Sequence, residues 1–425
     1  MSSVNFLEKL LDGVEVEWKA LKDIGTYVRG LVYNKSSESS DGKGYKVLRA
    51  NNITLSENSL NFDDVKIVNF DTKVKKDQKL RCNDILISAA SGSREHVGKV
   101  AFIEKDIDYY FGGFMGVIRC NASMIPRYAF HVLTSQHFKI YLDEMLNSST
   151  INNLNSAVMG NFKFPIPCPD NPKKSLEIQA EIVRILDAMT AHTAELTAEL
   201  TARKKQYNYY RDKFLSFEDG DIEVEWKTLG DLGTWYGGGT PSKTNPAYWE
   251  DGIIPWISPK DMGQPIVTAT EDYITEAAIK ESSTKLIPAN SIAIVVRSSI
   301  LDKKLPSALI PIPATLNQDM KAIFPNDSVL PSYISHLIRS RGEDILRVAR
   351  KSGGSVASID SKKLFSFKVP IPSISEQNRI VALLDKFDTL ANSISKGLPR
   401  EIELRQKQYA YYRDLLLSFP QAQAA

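Results

Sequence analysis

The sequence predicts an α+β fold in which two strand-rich α/β domains are joined by two long helices and related by a pseudo-two-fold axis. Three observations predict this fold: an internal repeat of about 200 residues, a long helical segment after each copy of the domain, and short apolar runs of strand length within each copy. At 425 residues, the chain is long enough for two or three domains that each bury a core.

The repeat covers whole domains together with the helices that follow them. Three pairs of matching segments carry it: 14–19 with 222–227, 162–167 with 367–372, and 205–212 with 407–414. The predicted order is an N-terminal helical segment 1–13, a first domain 14–173, a helix 174–217, a second domain 222–372 and a helix 374–419. We also expect the C-terminal helix end to lie beside the start of the first copy, as the central helix end lies beside the start of the second.

Apolar periodicity predicts the two helices. Segment 175–217 contains no proline or glycine, and its apolar residues recur mostly three, four or seven positions apart, which gives a helix of roughly 60 Å with one apolar face. The second helical segment is interrupted at Gly397-Leu398-Pro399, where proline should break or kink it. Two such helices in one chain are expected to pair as an intramolecular coiled coil. The alternative is that each helix packs on its own domain.

A tandem duplication distinguishes the first helix from the second. Thr193-Ala194-Glu195-Leu196 is followed at once by the same four residue types at 197–200. Each unit corresponds to about one helical turn, so adding or removing one changes the helix length by roughly 6 Å. The pattern fits a helix that sets a distance, although neutral duplication on a solvated helix would give the same sequence.

Composition and cysteine content exclude several classes of protein. Lys and Arg number 53 against 51 Asp and Glu, so the formal net charge of +2 excludes a histone-like polycation. Cys82, Cys120 and Cys168 are odd in number and form no CxxC pair, which argues against a disulfide framework or a structural zinc site. The sequence shows no apolar run of the ~18 residues needed to span a bilayer and no signal-peptide core, so we expect a cytoplasmic location and no membrane partner.

The short motifs that resemble active sites lack the residues that the chemistry needs. Asn-Pro-Ala-Tyr at 245–248 resembles the adenine grip of amino-methyltransferases, but no glycine-rich S-adenosylmethionine loop accompanies it. The stretch 237–244 misses the second glycine of a phosphate-binding loop, and Pro241 removes a backbone donor. The five histidines show no paired ligand spacing. The sequence therefore predicts no catalytic residue and no metal site.

Polar and basic residues cluster in loops at equivalent parts of the two domains. Arg, Lys, Asn and Gln side chains can contact base edges, and Ser, Thr and backbone amides can hold phosphates. Ordinary solvated turns have the same composition, so these residues define a hypothesis of DNA contact. The candidates are Lys46, Arg49, Asn51, Asn52, Ser91, Ser93, Arg94 and His96 in the first domain, and Thr240, Ser242, Lys243, Lys260, Asp261, Arg297, Ser298, Ser299, Lys303, Asn317, Gln318 and Lys321 in the second.

Taken together, these motifs resemble the specificity (S) subunits of type I restriction–modification systems along essentially the whole chain. The second domain carries the target-recognition pattern of that family, in the order Gly-Gly-Gly-Thr-Pro-Ser at 237–242, Ile-Pro-Trp-Ile at 254–257, Asn-Gln-Asp at 317–319 and Gly-Gly-Ser at 353–355. The Thr-Ala-Glu-Leu doublet and the Lys-Gln-Tyr-x-Tyr-Tyr-Arg-Asp helix ends resemble the IC subgroup. The first domain departs from the pattern because it lacks the Gly-Gly-Gly-Thr-Pro and Ile-Pro-Trp-Ile strings.

The resemblance implies a non-catalytic subunit that binds double-stranded DNA. Each domain would read one half of a bipartite, asymmetric site, and the helices would form an antiparallel coiled coil that sets the spacer. Two modification subunits would dock on the chain and methylate adenine, and two restriction subunits would join them. S-adenosylmethionine, ATP and Mg²⁺ would be used by these partners, with no cofactor in this chain. The alternatives are a self-contained DNA adenine methyltransferase or nuclease, and a coiled-coil scaffold that binds only proteins.

Overall fold

The computed structural model describes residues 13–54, 58–147, 153–217, 222–351, 356–392 and 397–419. The predicted N-terminal helical segment and the Gly-Gly-Ser motif at 353–355 lie, except for Gly13, outside these residues. The chain divides into two compact units: Met1–Glu195 with Glu403–Ala425 form unit 1, and Leu196–Ile402 form unit 2.

Unit 1 contains the first strand-rich domain. Its elements are β1 (Val16–Ala20), α1 (Leu21–Ile24), β2 (Gly25–Arg29), β3 (Tyr45–Leu48), β4 (Lys66–Val68), β5 (Ile85–Ser88), β6 (Val100–Phe102), β7 (Tyr110–Phe111), β8 (Met115–Cys120), α2 (Pro126–Thr134), α3 (Gln136–Asn147), α4 (Ser156–Asn161) and β9 (Lys163–Pro167). An antiparallel sheet has the order β2-β8-β5-β6, and a smaller sheet has the order β4-β3-β7, in which β3 and β7 are parallel. Strands β1 and β9 form a separate antiparallel pair.

The first long helix follows β9, and the second domain repeats the topology of the first. The helix is α5 (Pro172–Phe214), and the elements after it are β10 (Glu225–Thr228), β11 (Gly233–Gly237), β12 (Ile254–Ile257), β13 (Asp272–Ile274), α6 (Glu276–Glu281), β14 (Ser291–Val295), β15 (Ser307–Ile310), β16 (Thr315–Leu316), β17 (Met320–Pro325), α7 (Pro331–Ser340), α8 (Gly342–Ala349), β18 (Arg350–Lys351), β19 (Ser358–Ile359), α9 (Ser361–Phe365), β20 (Lys368–Ile371), α10 (Ile374–Asn392) and α11 (Leu398–Leu416). The sheets β11-β17-β14-β15 and β13-β12-β16 match those of the first domain, and β10 pairs with β20 as β1 pairs with β9.

The central strands are buried on both faces, which explains their continuous apolar runs. Along β5, Ile85 and Ile87 pack into one core and Leu86 packs into another, because successive side chains of a strand point to opposite faces. In the second domain, β14 is likewise buried along its whole length. The α+β prediction with two strand-rich domains is therefore confirmed.

The long helices attach to the domains at their ends. In unit 1, the start of α5, with Ile182 and Leu186, shares a core with Leu416 at the end of α11. In unit 2, the end of α5, with Tyr207, shares a core with Ile380 at the start of α10. Each helix start therefore packs on its own domain beside the end of the other conserved helix, as in an antiparallel pair. The expected position of the C-terminal helix end beside the first copy is confirmed.

The predicted interruption of the second helix is also confirmed. Gly397 is described as a bend outside any helix, and α11 begins directly after it at Leu398. Gly397 has φ of +76°, a left-handed conformation that favours glycine, and Pro399 lies in the first turn of α11. None of the helices in the described part of the chain is both long enough and apolar enough to cross a membrane.

Buried histidines link the helices within each unit. In unit 1, His131 Nδ1 lies 2.9 Å from the Tyr409 hydroxyl and its Nε2 lies 2.9 Å from Asp187 Oδ1. Since a carboxylate only accepts, Nε2 donates to Asp187 and Nδ1 accepts from Tyr409. In unit 2, His336 takes the same role between Tyr207 and Asp385. The repeated tyrosines and aspartates of the sequence are thus explained by helix attachment.

Candidate nucleic-acid interface

A groove of about 1070 Å³ opens in the first domain where four loops meet. The loops follow β2, β3, β5 and β7 and supply lining residues from 29–35, 49–54, 90–92 and 112–114. The loops after β2 and β7 touch through their backbones, because a Cβ atom at Gly30 would overlap the carbonyl oxygen of Gly112. In the second domain, Gly238 lies in the same way against the carbonyl oxygen of Asn317. The middle glycine of the Gly-Gly-Gly-Thr-Pro motif is therefore required by this close approach.

The groove has a cationic lining. Arg29, Lys35, Arg49 and Lys99 line it, and Glu38 supplies the one carboxylate among the described lining residues. An excess of positive charge in a concave, loop-built surface suits a polyanion such as DNA.

Lys99 also holds the groove in shape. Its Nζ donates to the carbonyl oxygens of Ala50 and Ile53, both at 2.7 Å, and burial lowers the pKa of this ammonium. The turn after β3 is thereby fixed against β6. The sequence did not predict these contacts, because Ala50 and Ile53 lie almost fifty residues away along the chain.

Four of the predicted first-domain residues line the groove together: Arg49, Asn51, Ser91 and His96. Arg49 Nη2 donates to Asp64 Oδ2 at 2.7 Å, and Asn51 Nδ2 donates to the same oxygen at 2.9 Å. Arg49 Nε and His96 Nδ1 are buried and have no hydrogen-bond partner among the described residues. Buried polar groups are normally hydrogen-bonded, so these two atoms are exceptions among the described residues.

Three predicted residues lie in the same domain but do not line the groove. The Lys46 ammonium lies 5.4 Å from the centre of the Tyr109 ring. Arg94 donates to Asp143 and Asn147 of α3 at 3.0 and 2.9 Å, and Ser93 Oγ donates to Glu95 at 3.2 Å. These contacts direct the side chains to local partners on the protein surface.

Asn52 has a structural place instead of a place in the groove. It is fully buried, and its Oδ1 accepts from the backbone N–H of Arg49 at 2.8 Å. Its Nδ2 donates to the carbonyl oxygens of Asn61 and Asp64 at 3.1 and 3.2 Å. The prediction that Asn52 contacts DNA is corrected on this ground, because a side chain whose polar atoms are all satisfied inside the protein cannot face a ligand.

Asp261 is the second-domain counterpart of Asn52. Strand β12 pairs with β16 as β3 pairs with β7. Residues Ser258–Asp261 of the second domain are therefore equivalent to Arg49–Asn52 of the first. Asp261 Oδ2 accepts from the backbone N–H and Oγ of Ser258, at 2.8 and 2.9 Å. Lys260 corresponds to Asn51, is exposed, and lies 3.7 Å from Glu271.

The polar loop residues of the second domain pair with one another. The Thr240 hydroxyl donates to Gln318 Oε1, and the Arg297 guanidinium is ion-paired with Asp319. Asn317 is buried, and its Oδ1 accepts from the backbone N–H of Asp319 at 2.9 Å, so it shapes the loop.

The remaining predicted residues of the second domain lie in three settings. Ser242 hydrogen-bonds Thr244 at 2.9 Å, and Ser298 Oγ accepts from the backbone N–H of Ile300 at 3.4 Å. The Lys321 ammonium lies 5.8 Å from the centre of the Phe365 ring. Lys243, Ser299 and Lys303 are exposed.

The Asn-Pro-Ala-Tyr string at 245–248 forms an ordinary turn. Asn245 Oδ1 accepts from the backbone N–H of Ala247 at 3.2 Å, and the Tyr248 hydroxyl donates to Glu281 at 3.2 Å. Its polar groups are thus used within the protein.

Two apolar residues of the groove, Val32 and Phe114, are not among the residues predicted from the sequence. Both are among the most exposed large hydrophobic side chains of the described residues, at 82% and 73%. The available signal was the alignment of Gly112-Gly113-Phe114 with Asn317-Gln318-Asp319, since Met115 and Met320 each follow directly and begin equivalent strands.

Comparison with known proteins agrees with this architecture. The family model of the type I restriction modification DNA specificity domain matches the chain twice, at residues 13–204 and 222–404. The Escherichia coli type I restriction enzyme EcoR124I/EcoR124II specificity subunit is 53% identical over 427 residues, covering 99% of this chain and 98% of that protein. The type I restriction enzyme EcoprrI specificity subunit, also from Escherichia coli, is 32% identical over 419 residues, covering 93% of each chain.

A solved structure shows the same fold at low sequence identity. It comes from work on complex assembly and conformational transition of the type I R-M system. It matches with a TM-score of 0.61 at 15% identity and covers 95% of this chain and 97% of that chain. The duplicated domains, the paired helix ends and the two family matches lead to one conclusion: the chain belongs to the family of type I restriction–modification specificity subunits, which are non-catalytic DNA-recognition subunits.

Proposed function

We propose that the two domains of this subunit each read one half of a bipartite, asymmetric site in double-stranded DNA. The proposal depends on one observation. The loops that follow β2, β3, β5 and β7 in the first domain have equivalents after β11, β12, β14 and β16 in the second, but the two sets carry different side chains. The first domain presents Asn51 where the second presents Lys260, and Ala90 where the second presents Arg297. Different side chains on one framework would read different bases, so the two half-sites would differ.

The groove of the first domain has the chemistry for direct readout. Asn51 and Ser91 can exchange hydrogen bonds with base edges, and the Arg49 and Lys35 side chains supply positive charge for phosphates. In the second domain, Arg297, Asp319 and Gln318 would make the equivalent contacts. The ion pair of Arg297 with Asp319 holds the guanidinium in one orientation before DNA arrives.

The ends of the long helices supply candidate docking sites for two modification subunits. Tyr209 and Tyr411 occupy matching positions in the two units and are each 63% exposed, although both lie on helices that otherwise pack on a domain. Two equivalent exposed tyrosines would bind two copies of one partner. Two restriction subunits would complete the assembly in the cytoplasm. Within it, the partners would use S-adenosylmethionine, ATP and Mg²⁺, and the subgroup would be IC.

The experiment is methylation mapping of DNA from cells that co-express this chain with a type I modification subunit of the same subgroup. We expect a gapped, two-part adenine motif that disappears when this chain is omitted. Changing Asn51 and Ser91 together to alanine should relax one half of the motif, and changing Arg297 and Gln318 should relax the other. Methylation that does not depend on this chain, or a single ungapped motif, would contradict the proposal.

The protein-scaffold alternative predicts a different result. A scaffold that binds only proteins would assemble with the modification subunit but would give no sequence-specific footprint on DNA. Footprinting of the assembled complex on a duplex that carries the mapped motif therefore separates the two functions.

A further inference from the structure

Equivalent backbone hydrogen bonds show which loop residues of the first domain correspond to which loop residues of the second. The backbone N–H groups of Ala89 and Ala90 donate to the carbonyl oxygen of Phe114 at 2.8 and 3.1 Å. Those of Val296 and Arg297 donate to the carbonyl oxygen of Asp319 at 2.8 and 3.3 Å. Phe114 therefore occupies the place of Asp319, and Ala90 that of Arg297.

A second pair of bonds aligns the neighbouring loop. Leu31 N–H donates to Phe111 O at 2.7 Å, and Gly239 N–H donates to Leu316 O at 2.8 Å. The next residue along the chain is Val32 in the first domain and Thr240 in the second.

The two edges have opposite chemistry at these matched positions. In the second domain the side chains are polar and paired, Thr240 with Gln318 and Arg297 with Asp319. In the first domain they are Val32 and Phe114, which have no polar side-chain atoms and are 82% and 73% exposed. Two large apolar side chains left in water on a cationic groove indicate that a ligand covers them.

The ligand of this groove must combine negative charge with small apolar groups. Duplex DNA does so in its major groove, where the thymine C5-methyl group is the apolar feature among hydrogen-bonding base edges. Val32 is too short to insert between base pairs, and its Cγ2 lies beside Gly113, the residue before Phe114. Val32 and Phe114 share the groove wall with Asn51 and Ser91, which suits contact with the edges of bases.

We propose that Val32 and Phe114 form an apolar contact with thymine methyl groups in the half-site read by the first domain. The second domain has no such contact at the matched positions and reads its half-site there by hydrogen bonds. This inference rests on the proposed function and adds to it the chemical group that the first domain recognises.

Uracil substitution tests the contact without altering the protein. The full chain, assembled with its modification subunits, is bound to duplexes carrying the mapped motif, in which each thymine of the first half-site, on either strand, is replaced by deoxyuridine. Losing one buried methyl group should weaken binding roughly four-fold. The same replacement in the second half-site should leave binding unchanged at the positions read by Arg297 and Gln318.

Protein variants complete the test. The double variant Phe114→Ala/Val32→Ser removes both apolar groups, so it should weaken binding to the thymine duplex and bind thymine and uracil duplexes equally well. Phe114→Leu should retain part of the preference for thymine. Ile253→Ala removes a side chain that is 78% exposed in the second domain and should leave the preference intact.

Three outcomes would overturn the inference: a first half-site without thymine, binding that ignores uracil, or a Phe114→Ala/Val32→Ser complex that still distinguishes the two bases. Loss of DNA bending in Phe114→Ala with no uracil effect would indicate insertion between base pairs instead. Failure of the proposed function is separate from these outcomes, because it appears as no sequence-specific binding to the unmodified duplex.

Discussion

At the scale of single residues, two adjacent asparagines have different roles: one stabilises the fold and the other is a candidate DNA contact. Asn51 is exposed on the groove, whereas Asn52 is fully buried and bonds three backbone groups. The sequence alone gives the two residues the same chemistry. Their roles differ because the carbonyl oxygens of Asn61 and Asp64 bind the Asn52 amide inside the protein, whereas Asn51 donates to the Asp64 carboxylate at the surface.

The two asparagines give a matched pair of variants. Asn52→Ala should lower the free energy of unfolding of unit 1 by about 2 kcal/mol, because it leaves buried backbone groups without partners. Asn51→Ala should change stability by no more than about 0.5 kcal/mol, yet weaken sequence-specific DNA binding about ten-fold or more. Scanning calorimetry and binding to the mapped duplex measure the two effects. Equal losses of stability would contradict the division of roles.

The candidate site was only partly predictable for the same reason. Residue type selected Arg49, Asn51, Ser91 and His96, which the structure brings to one groove. It also selected Asn52, whose partners come from a loop that no local pattern announces. Phe114 was missed because an apolar residue between two strands normally indicates core, and only its 73% exposure identifies it as a surface contact.

At the scale of helices, a buried histidine in each unit joins two helices through one tyrosine and one aspartate. In unit 1 the His131 ring is surrounded by Asp187, Arg127 and Arg413, besides Tyr409. Burial lowers the pKa of His131 from its ordinary 6.5, although the hydrogen bond to Asp187 opposes this shift. Burial also lowers the pKa of His336 in unit 2. Both networks are therefore built for neutral imidazole rings.

Stability should consequently fall as the solution becomes mildly acidic. Below pH 6.5 the unfolded chain binds a proton at each histidine, whereas the folded chain resists it until the pH reaches the lower folded pKa. The stabilising effect is full above pH 6.5 and is lost as pH falls through the folded pKa, by up to about 1.4 kcal/mol per pH unit for each histidine.

Unfolding of His131→Asn at pH 7.5 and 5.5 checks the sign of this effect. The variant should lose less stability between the two pH values than the natural chain does. His192→Asn removes an exposed histidine of α5 that lies outside both networks and serves as the matched control. An identical pH dependence in the natural chain and His131→Asn would contradict the assignment.

At the scale of the whole molecule, the boundary between the two units falls inside the Thr-Ala-Glu-Leu doublet, between Glu195 and Leu196. The doublet lies within α5, and the Thr193 hydroxyl donates to the carbonyl oxygen of Met189, one turn earlier, at 3.0 Å. Residues 197–200 can be deleted from this regular helix without disturbing either domain core, because neither core includes them.

Deleting residues 197–200 should therefore shorten the spacer between the half-sites and leave both half-sites unchanged. The helix loses about 6 Å, which corresponds to about one to two base pairs of DNA. Methylation mapping measures the spacer directly. A deletion of two residues from the same helix serves as a control, because it rotates the helix faces by about half a turn and should reduce methylation. An unchanged spacer after the four-residue deletion would contradict the distance-setting role of α5.

The overall architecture was the most predictable level. The repeat required two similar domains, the apolar periodicity required long helices, and Gly397 with Pro399 required a break. Each of these signals is either a repeat of the same residues or a pattern within one short segment, so it can be recognised without knowing the fold. Loop conformation and the division of side chains between groove and turn depend on contacts between distant segments, such as Lys99 with Ala50, and could not be read in the same way.

The exchange of helix ends has a consequence for how the protein is made. Unit 1 takes Leu416, Leu417 and Phe419 into its core, so the first domain is completed by residues that are synthesised only after the whole second domain. The first domain must wait, partly assembled, through the synthesis of all of unit 2. A premature stop codon between residues 403 and 416 would accordingly damage the first domain, which precedes it by more than 200 residues, and spare the second.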